Sequence, residues 1–301
     1  MRLGTRTSRL ALAQSGHVAA ALGPDVELVG MQTAGDKVVD APLRGPLAKG
    51  WFTEELEAAL LEGRIDLAVH SLKDLPLEPR PGLVVAAIPP REPAEDLLLV
   101  RDRTSDGHVL PLAKGARVGS SAARRQALFR ALRPDLDVRE LRGNVTTRLD
   151  RLAEGRFDAI VLAEAGLRRL GLLDGAVAQF LVVRLRAEAW PSAPGQGALA
   201  VQCRAADTGV VARIAALHHG PTATEVETER RWLGAMGGGC SVPFGARVRG
   251  DRWSIGLDAG AGFRVRRSGE PAEALAGLLA GGEGEAWGDA VWEGVGPSAT
   301  S

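Results

Sequence analysis

Cysteine occurs only twice in the 301 residues, at Cys203 and Cys240, and lysine only at Lys37, Lys49, Lys73 and Lys114, against 33 arginines. Two cysteines exclude a disulfide-stapled scaffold and suit a reducing cytoplasm. Asn144 is the sole asparagine. This bias fits a GC-rich or heat-adapted source, because amides are thermolabile, and it makes an arginine uninformative on its own. No run approaches the roughly 18 apolar residues of a membrane helix, so no bilayer span is expected. The amino terminus is Arg- and Ser-rich but lacks the apolar core of a secretory signal, and reads as a first strand and helix. Net charge is zero, with 37 basic and 37 acidic residues, which removes any global field that would recruit nucleic acid or a membrane surface. His17, His70, His108, His218 and His219 lack metal-ligand spacing with the cysteines, so no metal site is expected. Neither GxxxxGK[ST] nor a strand-to-helix GxGxxG is present, which favours carboxylate over phosphate as the bound anion.

The chain is long enough for two or three domains, and 45% hydrophobic with 25% charged residues is a globular composition. Residues 53 to 62, TEELEAALLE, predict a helix capped by Thr53 and closed by Gly63. A strand follows in RIDLAVHS, where Ile65, Leu67 and Val69 alternate with Asp66, Ala68 and His70. The chain then turns through Ser71-Leu72-Lys73-Asp74-Leu75-Pro76. EGRFDAIVLAEAGL at 154 to 167 echoes EGRIDLAVHSLKDL at 62 to 75, which predicts two related α/β domains. LVVAAIPPREPAEDLLLV between them reads as strand, Pro-rich hinge and strand. After about residue 216 the pattern becomes a helix around TEVETERRWLGAM, a glycine turn, three short strands and a helix near PAEALAGLLA. That is a small α+β third domain, and EGVGPSATS is expected to fray.

Open α/β sheets bind ligands outside the carboxyl ends of their strands. Four such positions carry cations or hydroxyls: Arg6 and Ser8; Ser120, Ser121, Arg124 and Arg125; Arg142 with Asn144; Arg168 and Arg169. With Ser121 as cap, Arg124 and Arg125 fall in the first turn of a helix ending near Leu132, where the macrodipole disfavours cations. A bound anion would repair that conflict. The competing reading is a set of solvated surface arginines. Asp74 beside Lys73 is either a structural ion-pair partner or a carboxylate that stabilises a cationic intermediate. Cys203, in the apolar run ALAVQCR, reads as a buried small hydrophobe. Cys240, in a glycine-rich loop, reads either as another one or as an exposed thiol for covalent use.

In order along the chain, GTRTSRLALAQ, MQTAGDK, KGWFTEELEAALLEGRIDLAVHSLKDLP, GSSAARRQ, LRGNVTTRLDRL, DAIVLAEAGLRRLGL, PGQGALAVQCR and GGGCSVPFG resemble the porphobilinogen deaminase family. AVHSLKDLP and GGGCSVP are the specific blocks. The resemblance implies an α/β fold of two type II periplasmic-binding-protein-like domains, residues 1–92 with 192–214 and residues 96–188, plus a small α+β C-terminal domain over 216–301. It implies a dipyrromethane cofactor joined to Cys240 by a thioether and made from the enzyme's own substrate. Asp74 becomes the catalytic carboxylate, stabilising the azafulvene cation left when ammonia departs from porphobilinogen. Ser71, Lys73, Ser121, Arg124, Arg125 and Arg148 match residues around the cofactor. Arg6, Ser8, Arg142, Arg169 and Gln196 match residues around the substrate chain.

On this reading porphobilinogen binds between the first two domains, and four cycles followed by hydrolysis release hydroxymethylbilane. The expected state is a monomer without nucleic-acid or membrane partners, and residues 38 to 50 are expected to form a mobile lid. Two positions depart from the family: Ala122 stands where a second serine is usual, and Glu54 where a lysine is sometimes found. The alternatives are a non-catalytic clamshell carboxylate-binding protein, with Cys240 incidental, and a cysteine hydrolase. An Asp74→Ala variant separates the last, since acyl transfer through Cys240 would survive it.

Overall fold

The computed structural model describes residues 1–32, 53–101, 110–237, 242–260, 262–280 and 282–285, and the backbone of 292–294. Residues 38 to 50 and Cys240 lie outside the described residues. The chain divides into two compact units, residues 1–92 with 195–230, and residues 93–194 with 231–301.

The first unit is built on a five-stranded sheet in the order β2 (Glu27–Met31), β1 (Arg2–Arg6), β3 (Leu67–Ser71), β10 (Leu199–Arg204), β4 (Leu83–Ala87). β1 runs parallel to β2 and β3, and β10 runs antiparallel to β3 and β4. Both faces of β3 are covered. Leu67 and Val69 join Leu3, Val18 of helix α1 (Arg9–Leu22) and Ile214 of helix α6 (Thr208–Ala215) in one core. Ala68 joins Ile65 and Leu56 and Leu60 of helix α2 (Glu54–Leu61) in another. The apolar/polar alternation in the sequence therefore marks a strand but not a wet face, as central strands of covered sheets require. Thr53 stands at the N-cap of α2 without a side-chain cap bond, and Gly63 takes φ +70° just beyond its end.

The second unit holds a six-stranded sheet, β14 (Trp292–Gly294), β9 (Leu181–Leu185), β5 (Asp96–Val100), β8 (Ala159–Ala163), β6 (Arg117–Gly119), β7 (Asp137–Arg139). β6 is parallel to β7 and β8, and β5 is antiparallel to β8 and β9. Five of these strands repeat the order and sense of the first sheet. The two echoing segments supply equivalent central strands, β3 and β8. A small clamp repeats too: Asp66 accepts from the Arg2 backbone N–H (2.7 Å) and guanidinium (2.8 Å), and Arg2 also donates to Gly63 O (2.8 Å). Asp158 likewise takes the Arg117 N–H (2.8 Å) and guanidinium (2.8 Å), and Arg117 reaches Gly155 O (3.0 Å). A shared Glu-Gly-Arg-x-Asp segment thus does one job twice, which is the physical content of the internal repeat.

The second unit also contains helices α3 (Ala123–Leu132), α4 (Val145–Ala153) and α5 (Glu164–Arg169). Its C-terminal part is an antiparallel sheet of β11 (Phe244–Arg249), β12 (Arg252–Asp258) and β13 (Phe263–Arg266), with helix α8 (Pro271–Leu279). Phe263 and Val265 enter the same core as Leu98, Phe129 and Trp190, the last two packed edge-on with ring centroids 4.8 Å apart. Glu293 and Gly294, expected to fray, instead pair with Arg184 and Val183, because β9 offers them an open edge. Helix α7 (Gly220–Ala235) begins in the first unit.

Candidate active site

In the first unit the residues of interest gather beyond the carboxyl ends of β1 and β3. Arg6 and Ser71 are the last residues of those strands, and Leu72–Asp74 form one 3-10 turn directly after β3. Ser8 caps α1, its Oγ accepting from Ala11 N–H at 3.3 Å. Lys73 Nζ donates to Oε1 of the buried Gln196 at 3.2 Å. Asp74 is exposed, and its carboxylate makes no hydrogen bond or ion pair with a described residue. Of the two readings of Asp74, the ion pair with Lys73 is therefore not formed, and an uncommitted anion stands at the strand end.

The turn that carries Asp74 is held from below. Arg230 of α7 donates to Leu72 O (3.0 Å), Leu75 O (3.0 Å) and Pro76 O (2.7 Å), and the Leu72 N–H donates to Ala198 O (3.0 Å). Its neighbour Glu229, fully buried, accepts two bonds of 2.8 Å from Arg91 and one of 2.8 Å from Gly195 N–H. Gly195 has φ +75°, and a Cβ there would approach Lys73 N to 3.4 Å, so the close passage under the turn requires glycine. Gln14 Nε2 donates to Ser71 Oγ at 3.0 Å. Sequence reading missed Arg230, Glu229 and Gln14. Only Gln14 carried a signal, its place at the end of the GTRTSRLALAQ block.

Behind the same strand runs a buried polar chain. His70 Nε2 donates to Gln202 Oε1 (3.1 Å), and Gln202 Nε2 donates to Glu57 Oε1 (3.0 Å). Burial pushes the His70 imidazole down to about 4, outweighing the opposing effect of its bond to Gln202, with Arg6 adding to the drop. His70 is therefore neutral at pH 7. The unfolded chain takes up a proton below about pH 6.5 that the folded chain refuses until about pH 4, so His70 erodes stability as pH falls through that window. We expect a loss on the order of 3 kcal/mol between pH 7 and 4, absent in His70→Gln, when denaturant unfolding of the two is compared.

In the second unit the arginines at the head of α3 have an internal counter-ion. Arg124 and Arg125 are 5% and 7% exposed, and both bind the fully buried Asp96, at 2.8 and 2.6 Å. Arg124 also reaches Pro191 O (2.8 Å), Arg125 reaches Val161 O (3.2 Å), and Trp190 Nε1 donates to Asp96 (2.9 Å). The anion that relieves the helix-end conflict is thus supplied by the first residue of β5. Burial alone would raise the Asp96 carboxyl, but the two guanidinium groups hold it far below the usual carboxylate range. Ser121 is not the cap: its Oγ donates to Leu141 O, and Ala122 occupies the N-cap without a side-chain bond. The Ala122 N–H donates to Ser120 Oγ at 3.3 Å.

Two guanidinium groups against one carboxylate leave this cluster positive, and more cations lie beside it. Burial, then Arg125 and Arg151, push the Arg148 guanidinium down to about 10. Its Nε donates to Gly143 O (2.8 Å), and it makes no ion pair with a described carboxylate. Arg142 pairs with the exposed Glu140 (2.7 Å), a contact worth little in water. Asn144 caps α4 by accepting from Thr147 N–H (2.9 Å). Arg168 and Arg169 are not on a loop after the strand but in the last turn of α5, which suits cations, and Arg168 pairs with Glu164 (2.7 Å). Cys203 is fully buried, and burial pushes its thiol up to about 11, as a packing residue would show.

These features define a class: an α/β protein whose first unit carries an uncommitted carboxylate at a strand end and whose second carries a surplus of guanidinium groups. Residues 1–212 match the family model "Porphobilinogen deaminase, dipyromethane cofactor binding domain". The chain is 47% identical over 253 residues to "Porphobilinogen deaminase" of Syntrophotalea carbinolica, covering 82% of this chain and 78% of that one. It is 44% identical over 286 residues to that of Syntrophobacter fumaroxidans, covering 91% and 90%. The chain belongs to the porphobilinogen deaminase family. Among solved structures it overlaps the Bordetella pertussis BvgS VFT2 domain, at TM-score 0.43 and 15% identity over 77% of this chain and 91% of that one. A periplasmic sulfonate-binding protein from Methylobacillus flagellatus overlaps at TM-score 0.42 and 14% identity, over 77% and 68%.

Proposed function

We propose that the chain joins four porphobilinogen molecules head to tail, with Asp74 as the catalytic carboxylate and Cys240 as the anchor of a dipyrromethane primer. It is a transferase of tetrapyrrole biosynthesis, acting on porphobilinogen and binding a dipyrromethane cofactor. The observation that carries the mechanism is Asp74: exposed, without a described partner, on a turn fixed by Arg230. When ammonia leaves the substrate's aminomethyl group, positive charge spreads over the pyrrole. A carboxylate already in place offsets that charge without reorganising, which is where electrostatic catalysis gains most.

The residues fit a carboxylate-rich cofactor. Lys73, Arg142, Arg148 and Arg169 would hold its acetate and propionate groups, with Ser71 and Ser121 beside them, and Arg124 and Arg125 supply positive field net of Asp96. When bound, the dipyrromethane group supplies the free pyrrole α-carbon on which the product grows. Arg6, Ser8 and Gln196 would orient the incoming ring. Arg148→Gln is expected to lower kcat/KM about 10- to 100-fold by loss of charge-assisted hydrogen bonds, and steady-state kinetics checks it.

We also propose a monomer of three domains, residues 1–92 with 192–214, 96–188 and 216–301, in the cytoplasm and without nucleic-acid partners. No described helix is long and apolar enough to cross a membrane. The deciding experiment is intact mass under denaturing conditions for wild type and Cys240→Ser. An adduct of two linked pyrroles in wild type alone supports the anchor. A bare wild-type mass, in folded protein made where porphobilinogen is present, overturns it.

A further inference from the structure

Within the second unit, β9 and the residues after it face the β11–β12 hairpin across a cavity of about 710 Å³. Six arginines line it, Arg184, Arg186, Arg247, Arg249, Arg252 and Arg267, against three acidic residues. The chain as a whole is neutral, so this surplus is local. Arg184 is paired with the buried Glu164 (2.8 Å) and Arg267 with Glu285 (3.3 Å), and Arg247 donates to Val248 O.

The hairpin itself breaks a local rule. Arg249 and Arg252 stand directly opposite each other in the β11–β12 register, and like charges in that position destabilise an antiparallel pair. Both are exposed, and neither forms an ion pair with a described carboxylate. Arg247, two residues before Arg249, projects from the same face of β11. A solvated arginine surface explains neither the like-charge register nor its position on a concavity. Trp253 lies on the other face of the hairpin, packed edge-on with Trp232 at ring centroids 6.3 Å apart, so the cavity side of the hairpin is polar. Ser254 Oγ donates to Ala187 O (2.7 Å), tying the hairpin to the segment after β9. None of these residues belongs to the site described above.

We propose that this cavity binds a small multivalent anion, carboxylate- or phosphate-bearing, through Arg247, Arg249 and Arg252. The volume lies within the 300–1,000 Å³ typical of small-molecule sites. An anion spanning the hairpin converts a repulsive cross-strand pair into two charge-assisted contacts, so occupancy also stiffens the hairpin.

Calorimetric titration of the holoenzyme at low ionic strength, with citrate in one arm and inorganic pyrophosphate in the other, tests this and separates the two headgroup chemistries. The Arg249→Gln/Arg252→Gln double variant is expected to bind the preferred probe at least about tenfold more weakly, a loss of about 1.4 kcal/mol. Its turnover and melting temperature without probe should match or exceed wild type. Arg148→Gln should leave this binding intact, which separates the cavity from the active site. Wild type that binds neither probe more tightly than chloride, a double variant that binds as wild type does, or binding lost only in Arg148→Gln would each overturn the proposal.

Discussion

Asp74→Asn should reduce kcat by about 10²- to 10³-fold while leaving the protein folded and the primer attached. The argument rests on where Asp74 stands. It is exposed and makes no bond with a described residue, so removing its charge costs the fold nothing it was using. A surface change of this kind stays within about 0.5 kcal/mol in stability. The whole loss therefore falls on the transition state, where the positive charge left by departing ammonia no longer meets a fixed anion. Asp74→Glu keeps the charge on a longer stem and should recover part of the rate. Turnover of Asp74→Asn within a few-fold of wild type, measured as ammonia release or product absorbance, would remove Asp74 from the mechanism.

The largest expected effect on stability comes from Asp96→Ala. Asp96 is fully buried and binds Arg124, Arg125 and Trp190 together, so its removal strands two guanidinium groups that are themselves under 10% exposed. Breaking a buried pair by deleting one partner typically costs about 3–5 kcal/mol, and here two cations share the loss. Denaturant melts should show the midpoint lowered by that energy divided by the slope, with the slope unchanged. The pH dependence has a defined sign. The folded carboxyl lies far below its unfolded value, so its contribution is complete above about pH 4 and is lost as pH falls below that. The variant should lack that acid-side loss. Equal stability of wild type and Asp96→Ala at pH 7 would sink the account.

The architecture was legible because its signals are local. A helix closed by Gly63, then Ile65 to Val69, is one unit of grammar, and its recurrence at Gly155 and Phe157 to Val161 revealed the second sheet before any strand order was known. Strand ends, and the turn that carries Asp74, were legible for the same reason. Partnership was not. The counter-ion of Arg124 lies 28 residues away and the carbonyls held by Arg230 lie more than 150 residues away, at separations no sequence window spans. The reading of the α3 arginines as needing an outside anion failed on that point, although an acid opening the apolar run DLLLV was a hint that a buried cation waited nearby. Ser121 was misread as a cap because the carbonyl that claims its hydroxyl, Leu141 O, lies 20 residues on.

The strand order also sets a timetable for synthesis. β10 sits between β3 and β4, yet it is made more than a hundred residues after either. Until Arg204 has left the ribosome, β3 and β4 have no strand to join them, and the first sheet is open at its middle. The second sheet needs nothing beyond Leu185 for its five shared strands. The half of the molecule that starts first therefore closes last, and β3, with the Asp74 turn at its end, gains its second neighbouring strand only then.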